Sequence, residues 1–124
     1  YIFNDRNTVA CGACEHSDCA ATILVTVVST SRKNGMIIDG GSKTFSSDLL
    51  ITTGEKTFGD ILEAPGATFF QMNEEHGYVD LGDAGPRFQV GDQVRVIPNH
   101  VCAAMNLHET VKQIWRVEGR GKLQ

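Results

Sequence analysis

The sequence predicts an all-β domain, a small closed or partly open barrel carrying short helical turns. Three observations predict it. Thr22 to Ser29 is a dense run of β-branched residues, which fit a pleated, half-buried surface. Short apolar runs recur at Met36 to Asp39, Thr68 to Met72, Tyr78 to Leu81 and Gln93 to Pro98. Polar turns separate them, and the thirteen glycines of the 124 residues suit sharp barrel corners.

Each element follows from its pattern. In Thr22 to Ser29, Ile23, Val25 and Val27 face one side, and Thr22, Leu24, Thr26 and Val28 the other. Asn34-Gly35 stands before the next apolar run. Asn-Gly between two such runs is a strong hairpin signal, because both loop positions take positive φ. Asn73-Glu74-Glu75-His76-Gly77 turns between two further strands, and Gly82-Asp83-Ala84-Gly85-Pro86 reads as a loop. Val90-Gly91-Asp92 leads into Gln93 to Pro98, where Val94, Val96 and Pro98 alternate with Gln93, Arg95 and Ile97. Val101 to Leu107 is short and alanine-rich, so one helical turn or an irregular loop is expected. Thr110 to Glu118 reads as a last strand with Val111, Gln113, Trp115 and Val117 on one face, and Tyr1-Ile2-Phe3 as a strand at the start.

Length allows one domain, residues 1–124, with room for a hydrophobic core. The net charge of −4 and eleven scattered Lys and Arg argue against nucleic acid or an anionic membrane as partner. No apolar stretch reaches the ~18 residues of a membrane span. No signal peptide is evident, and a start at Tyr1 rather than Met leads us to expect a piece of a longer protein. The four cysteines, Cys11, Cys14, Cys19 and Cys102, are too few for a disulfide scaffold, so a reducing, cytoplasmic location with free thiols is expected.

Four constellations are candidates for chemistry. His100-Val101-Cys102 follows the end of a strand. In extended backbone positions i and i+2 point the same way, so an imidazole and a thiolate there can share one metal ion. The pair suits Zn²⁺, and two protein ligands leave open positions for substrate and water. The competing reading is a chance pair whose cysteine packs as a small hydrophobe. Cys11-Gly12-Ala13-Cys14 has redox spacing, and with His16 and Cys19 it offers a crowded zinc set. It lacks the βαβ context of a thiol oxidoreductase. Asp39-Gly40-Gly41-Ser42-Lys43 lacks phosphate-loop spacing and a following helix pattern, and nothing marks Lys43 as a Schiff-base lysine. Glu74-Glu75-His76 reads better as a hydrogen-bonded turn than as acid–base machinery. His16 and His108 read as surface residues.

The run Ile97-Pro98-Asn99-His100-Val101-Cys102-Ala103-Ala104-Met105-Asn106-Leu107-His108 resembles the metal-binding segment of the D-threonine aldolase and D-serine dehydratase family. Phe3-Asn4-Asp5, Cys19 to Ser29, Asp39 to Lys43, Ser46-Ser47-Asp48, Glu74 to Tyr78 and Arg120-Gly121-Lys122 follow in that family's order.

The resemblance implies a C-terminal β-domain like that of alanine racemase. It implies a partner N-terminal (β/α)8 barrel that binds pyridoxal phosphate (PLP) through a lysine outside this chain, in a homodimeric enzyme. It implies a lyase acting on small β-hydroxy D-amino acids. The metal ligands would be His100 and Cys102, holding Zn²⁺ or another divalent ion such as Mn²⁺. Asn99 and Asn106 would orient them from outside the ligand shell. The family's aldolases carry His-x-Asp and its dehydratases His-x-Cys, which tilts the expectation towards dehydration. No catalytic residue is expected within this chain, and the chain alone is expected to be inactive. A non-catalytic β-barrel binding module and a thiol-redox protein are the alternatives.

Overall fold

In a computed structural model the chain is a strongly curved antiparallel sheet with three short helices. The structure describes residues 3–52, 55–108, 117–118 and 122–123. The elements are α1 (Arg6–Ala10), β1 (Ile23–Ser29), β2 (Gly35–Ile38), α2 (Ser42–Phe45), β3 (Leu50–Thr52), β4 (Glu55–Thr57), β5 (Gly59–Ile61), β6 (Thr68–Met72), β7 (Gly77–Asp80), β8 (Gln93–Pro98), α3 (Val101–Asn106), β9 (Val117–Glu118) and β10 (Lys122–Leu123). Six strands form one sheet in the order β5-β8-β1-β2-β7-β6. The sheet curls until its ends approach, and the backbone N–H of Phe58 donates to the carbonyl of Phe69 at 2.9 Å across the seam. The expected all-β barrel with short helical turns is therefore present, nearly closed. β3–β4 and β9–β10 are separate two-stranded pairs. No helix of the described residues is long and apolar enough to cross a membrane.

The alternation read in β1 sets the inside of the barrel. Ile23, Val25 and Val27 are buried, while Leu24 and Val28 are exposed. Inward residues of neighbouring strands are in register. Val25 lies opposite Val94 of β8, Val27 opposite Ile38 of β2, and Met36 opposite Val79 of β7. Phe69 plugs the centre, edge-on to Phe45 at 5.4 Å between ring centroids and tilted against Phe58 at 5.9 Å. Edge-to-face aromatic pairs of this kind add to the stabilisation from burial alone.

Three local readings differ from the structure. The β1–β2 connection is longer than a two-residue hairpin. Only Asn34 takes a positive φ (59°), and Gly35 already opens β2. Gly35 eases a close approach: a Cβ there would lie 3.3 Å from the carbonyl oxygen of Val79, a tight contact. In β8 both Ile97 and Pro98 are buried along with Val94 and Val96. Ile97 pairs with Asp60, and Asp60 is held by Arg6 and His16, so the N-terminal segment covers that face. Finally, Asp39 to Lys43 does lead into a helix, the four-residue α2. The amides of Ser42 and Lys43 donate to the carbonyls of Asn73 and Glu74, so they are spent on the β6–β7 turn. Gly41 allows that contact, since a Cβ would come within 2.1 Å of the Asn73 carbonyl oxygen.

Strands β3, β4 and β5 and helix α1 are additions to the sequence reading. Residues 1 and 2 of the expected first strand and 110–116 of the expected last strand lie outside the described residues, and Val117–Glu118 is strand. Arg120 and Gly121 of the family landmarks also lie outside them.

Phe69 is fully buried and Phe70 is 38% exposed. Phe69→Ala is expected to cost about 3–5 kcal/mol of unfolding free energy. Phe70→Ala should cost well under half of that. Urea denaturation of both variants checks the contrast.

Candidate metal and substrate site

The candidate site stands where β8 ends. Pro98 closes the strand, and Asn99 turns inward and is 1% exposed. Its amide nitrogen donates to two carbonyls, Asp48 at 2.8 Å and Thr57 at 2.6 Å. Its amide oxygen accepts from the Arg6 guanidinium at 3.0 Å. Its own carbonyl accepts from the backbone N–H of Asn7 at 3.2 Å. Asn99 thus joins β8, α1, the segment before β3 and the end of β4.

His100 is extended (φ −132°, ψ 98°) and caps the start of α3. Cys102 lies in the first helical turn, so strand alternation does not relate the two side chains as the sequence reading assumed. Val101 and Ala104 are buried and fix the helix, while Cys102 is exposed. Asn106 is exposed one helical repeat after Cys102, on the same side of α3.

Sequence reasoning missed the partner of His100. The imidazole Nδ1 lies 3.4 Å from Oδ2 of Asp48, both side chains being partly exposed. Asp48 is positioned by Ser46, whose hydroxyl donates to the same Oδ2 at 2.6 Å and accepts from the Asp48 N–H at 3.2 Å. Ser46 has φ 66° and ψ −175°, a backbone region that is costly for any residue with a Cβ. Strain of this kind persists only where the surroundings enforce it. The signal available in the sequence was the Ser46-Ser47-Asp48 landmark.

Asp5 supports the site from behind. Its Oδ2 accepts the backbone N–H of Val101 at 2.8 Å, and its Oδ1 accepts the N–H of Thr8 at 2.9 Å. Burial pushes the Asp5 carboxyl up, but the N–H of Val101, the N–H and hydroxyl of Thr8 and the nearby His100 outweigh it. The net value lies below the ordinary 3.8. Asp5 also starts α1, in a reciprocal capping box with Thr8.

The other candidates fall away from this site. Cys11 donates its thiol to the Thr8 carbonyl, and His16 lies 3.2 Å from Asp60 rather than standing without a partner. His108 is half-buried, with Nε2 3.1 Å from the Thr44 carbonyl. Among the described residues no group of three or more His, Cys, Asp or Glu is arranged to hold a metal ion. The crowded Cys11, Cys14, His16, Cys19 set is therefore no zinc knuckle. Lys43 pairs with Glu75 at 2.5 Å, and the hydrogen bond with that carboxylate holds its pKa above the ordinary range. That is opposite to what a Schiff-base lysine needs. Asn73 accepts the N–H groups of Glu75 and His76 with Oδ1, so 73–77 is the hydrogen-bonded turn expected.

Residues 20–113 match the family model described as "Putative serine dehydratase domain". The chain belongs to that family. An uncharacterized protein of Mycobacterium tuberculosis is 34% identical over 134 residues, covering 98% of this chain and 98% of that protein. D-threonine aldolase of an Arthrobacter species is 31% identical, covering 80% of this chain. D-threo-3-hydroxyaspartate dehydratase of a Delftia species is 30% identical, covering 83% of this chain. The chain spans 26% of the aldolase and 31% of the dehydratase, about the share of one domain. An alanine racemase-like protein from Idiomarina loihiensis shares the fold, with a TM-score of 0.77 and 25% identity over 98% of this chain and 35% of that one. A cysteine-to-alanine variant of D-threo-3-hydroxyaspartate dehydratase in a metal-free form also superposes, at TM-score 0.77 and 24% identity over 98% of this chain and 35% of that one. The domain is thus of the type that forms the C-terminal part of such lyases.

Two measurements test the framework. Asn99→Ala orphans two carbonyls and part of Arg6, at about 1–3 kcal/mol for each unsatisfied buried group. Its unfolding midpoint should fall well below that of the exposed-site variant Asn106→Ala. Asp5 has a depressed folded pKa, so its contribution is complete above 3.8 and is lost as pH falls through the folded value. Asp5→Asn should lower stability at neutral pH and flatten the acid limb of a stability–pH curve. The slope that remains belongs in part to Glu63, whose partly desolvated carboxylate is held low by Arg95.

Proposed function

We propose that this chain is the metal-binding β-domain of a PLP-dependent lyase acting on β-hydroxy D-amino acids. The observation that carries the reading is the His100–Asp48 contact beside an exposed Cys102. A carboxylate facing Nδ1 would orient the imidazole ring and leave Nε2 for a metal ion, as carboxylates behind metal-bound histidines do.

The donor set fits an open site. His100 and Cys102 are a borderline-soft pair suited to Zn²⁺, with Mn²⁺ a weaker candidate because a thiolate disfavours it. Two protein ligands would leave positions for water and substrate. The metal-free cysteine variant of the related dehydratase supports a cysteine in the metal shell. Asn99 would hold the backbone from which His100 projects, and Asn106 would face the site from the same side of α3 as Cys102. The chemistry supplied by such an ion is Lewis-acid polarisation of the substrate β-hydroxyl, and that supplied by PLP is delocalisation of the α-carbanion.

The PLP lysine would come from an N-terminal barrel partner, as the family resemblance implies. The whole enzyme would be a cytoplasmic homodimer, and this domain would lack lyase activity alone. The cysteine at position 102 favours β-elimination over retro-aldol cleavage.

A second reading is a non-catalytic β-barrel binding module. It is favoured by the mycobacterial relative, which this chain matches over 98% of its length. Metal analysis after zinc loading and desalting separates the two. The lyase-domain reading expects about one zinc per wild-type chain, none in the His100→Ala, Cys102→Ala double variant, and roughly tenfold weaker binding in Asp48→Asn. Equal zinc in wild type and double variant would refute the metal site and leave the module reading.

A further inference from the structure

Asn34-Gly35, the pair that marks the β1–β2 turn in the sequence, is also where that turn meets the loop after β7. The Asn34 side-chain nitrogen donates to the Asp83 carboxylate. Its side-chain oxygen accepts from the Arg87 guanidinium at 3.4 Å. The Asn34 backbone carbonyl accepts the N–H of Leu81 at 2.7 Å, and the Gly35 N–H donates to the Arg32 carbonyl at 3.2 Å. The side chain and both polar groups of the 34–35 peptide bond are thus all engaged. Asn34 is half-buried, while Asp83 and Arg87 are exposed.

An asparagine followed by glycine is chemically labile, because no side chain shields the glycine nitrogen. We propose that Asn34 is a deamidation site held in check by the 82–87 loop, and that its conversion unlatches that loop from the β1–β2 turn. The Gly35 nitrogen attacks Cγ of Asn34. The N–Cγ bond forms, the Cγ–Nδ2 bond breaks, and the amide nitrogen leaves as ammonia with the Gly35 proton. The product is a five-membered cyclic imide. Water then opens one of its two C–N bonds. Breaking the bond to Cγ gives aspartate at position 34, and breaking the bond to the backbone carbonyl carbon gives isoaspartate. No electrons are exchanged, and water is the only co-reactant.

The fold opposes the first step. The Asn34 side chain must swing off Asp83 and Arg87, and the Gly35 nitrogen must turn away from Arg32. Both follow from a local opening of the turn, so the rate tracks the population of that open form. Conversion then works against reclosing. An aspartate at position 34 sets a carboxylate against Asp83 where an N–H had donated, and like charges in contact repel. Arg87 can pair with the new carboxylate but does not replace the lost donor. Isoaspartate adds a methylene to the backbone just before Gly35 and Met36 pair with Asp80 and Val79. The proposal is independent of metal binding at His100 and Cys102.

The test incubates the full chain at mildly alkaline pH and follows deamidation of the peptide holding Asn34 by mass spectrometry. The native chain should react at least about tenfold more slowly than the chain in urea. Asp83→Ala should speed the native reaction several-fold, whereas Asp83→Asn, which keeps an acceptor oxygen, should stay within about twofold of wild type. In the converted native chain, separated by anion exchange, the Leu81 amide should exchange hydrogen several-fold faster. Equal rates in native buffer and urea, or an Asp83→Ala rate equal to wild type, would overturn the protection. Unchanged Leu81 exchange after conversion would overturn the unlatching.

Discussion

The architecture around the candidate site depends on one buried amide. Asn99 has no room for error: at 1% exposure, every polar atom of its side chain must find a protein partner. It finds three, in the Asp48 and Thr57 carbonyls and the Arg6 guanidinium. Those groups belong to segments 51, 42 and 93 residues away in sequence. Arg6 extends the network to Asp60 at 2.7 Å and Thr57 at 3.4 Å, and it is itself mostly buried. His100 and Asp48 are thus held close through the backbone before their side chains meet.

The barrel was legible because its signal is periodic. β1, β6 and β8 carry alternation or β-branched runs long enough to show an inner face, and their observed bounds agree with the sequence to within a residue. The three-residue strands β3, β4 and β5 are too short to show a period. Ile97 was misplaced for a different reason. Strand alternation cannot tell a solvent-facing position from one covered by a distant segment, here the α1 region with Arg6 reaching Asp60.

The site was partly legible. His100, Cys102 and Asn99 stood out as site residues, whereas Asp48 and Asp5 stood only as family landmarks without a role, because their partners are 52 and 96 positions along the chain. The two-residue spacing that brought His100 and Cys102 forward rested on extended backbone, and the helix begins between them.

The barrel seam has a thermal consequence. Along the sheet, neighbouring strands are joined by ladders of backbone hydrogen bonds, but at the closure the Phe58–Phe69 backbone bond is accompanied by aromatic packing of Phe45, Phe58 and Phe69. Apolar cohesion weakens on cooling. Chilling should therefore loosen the closure before it loosens the ladders, so that a cold-induced opening starts as a gap beside Phe69 while the rest of the sheet stays paired.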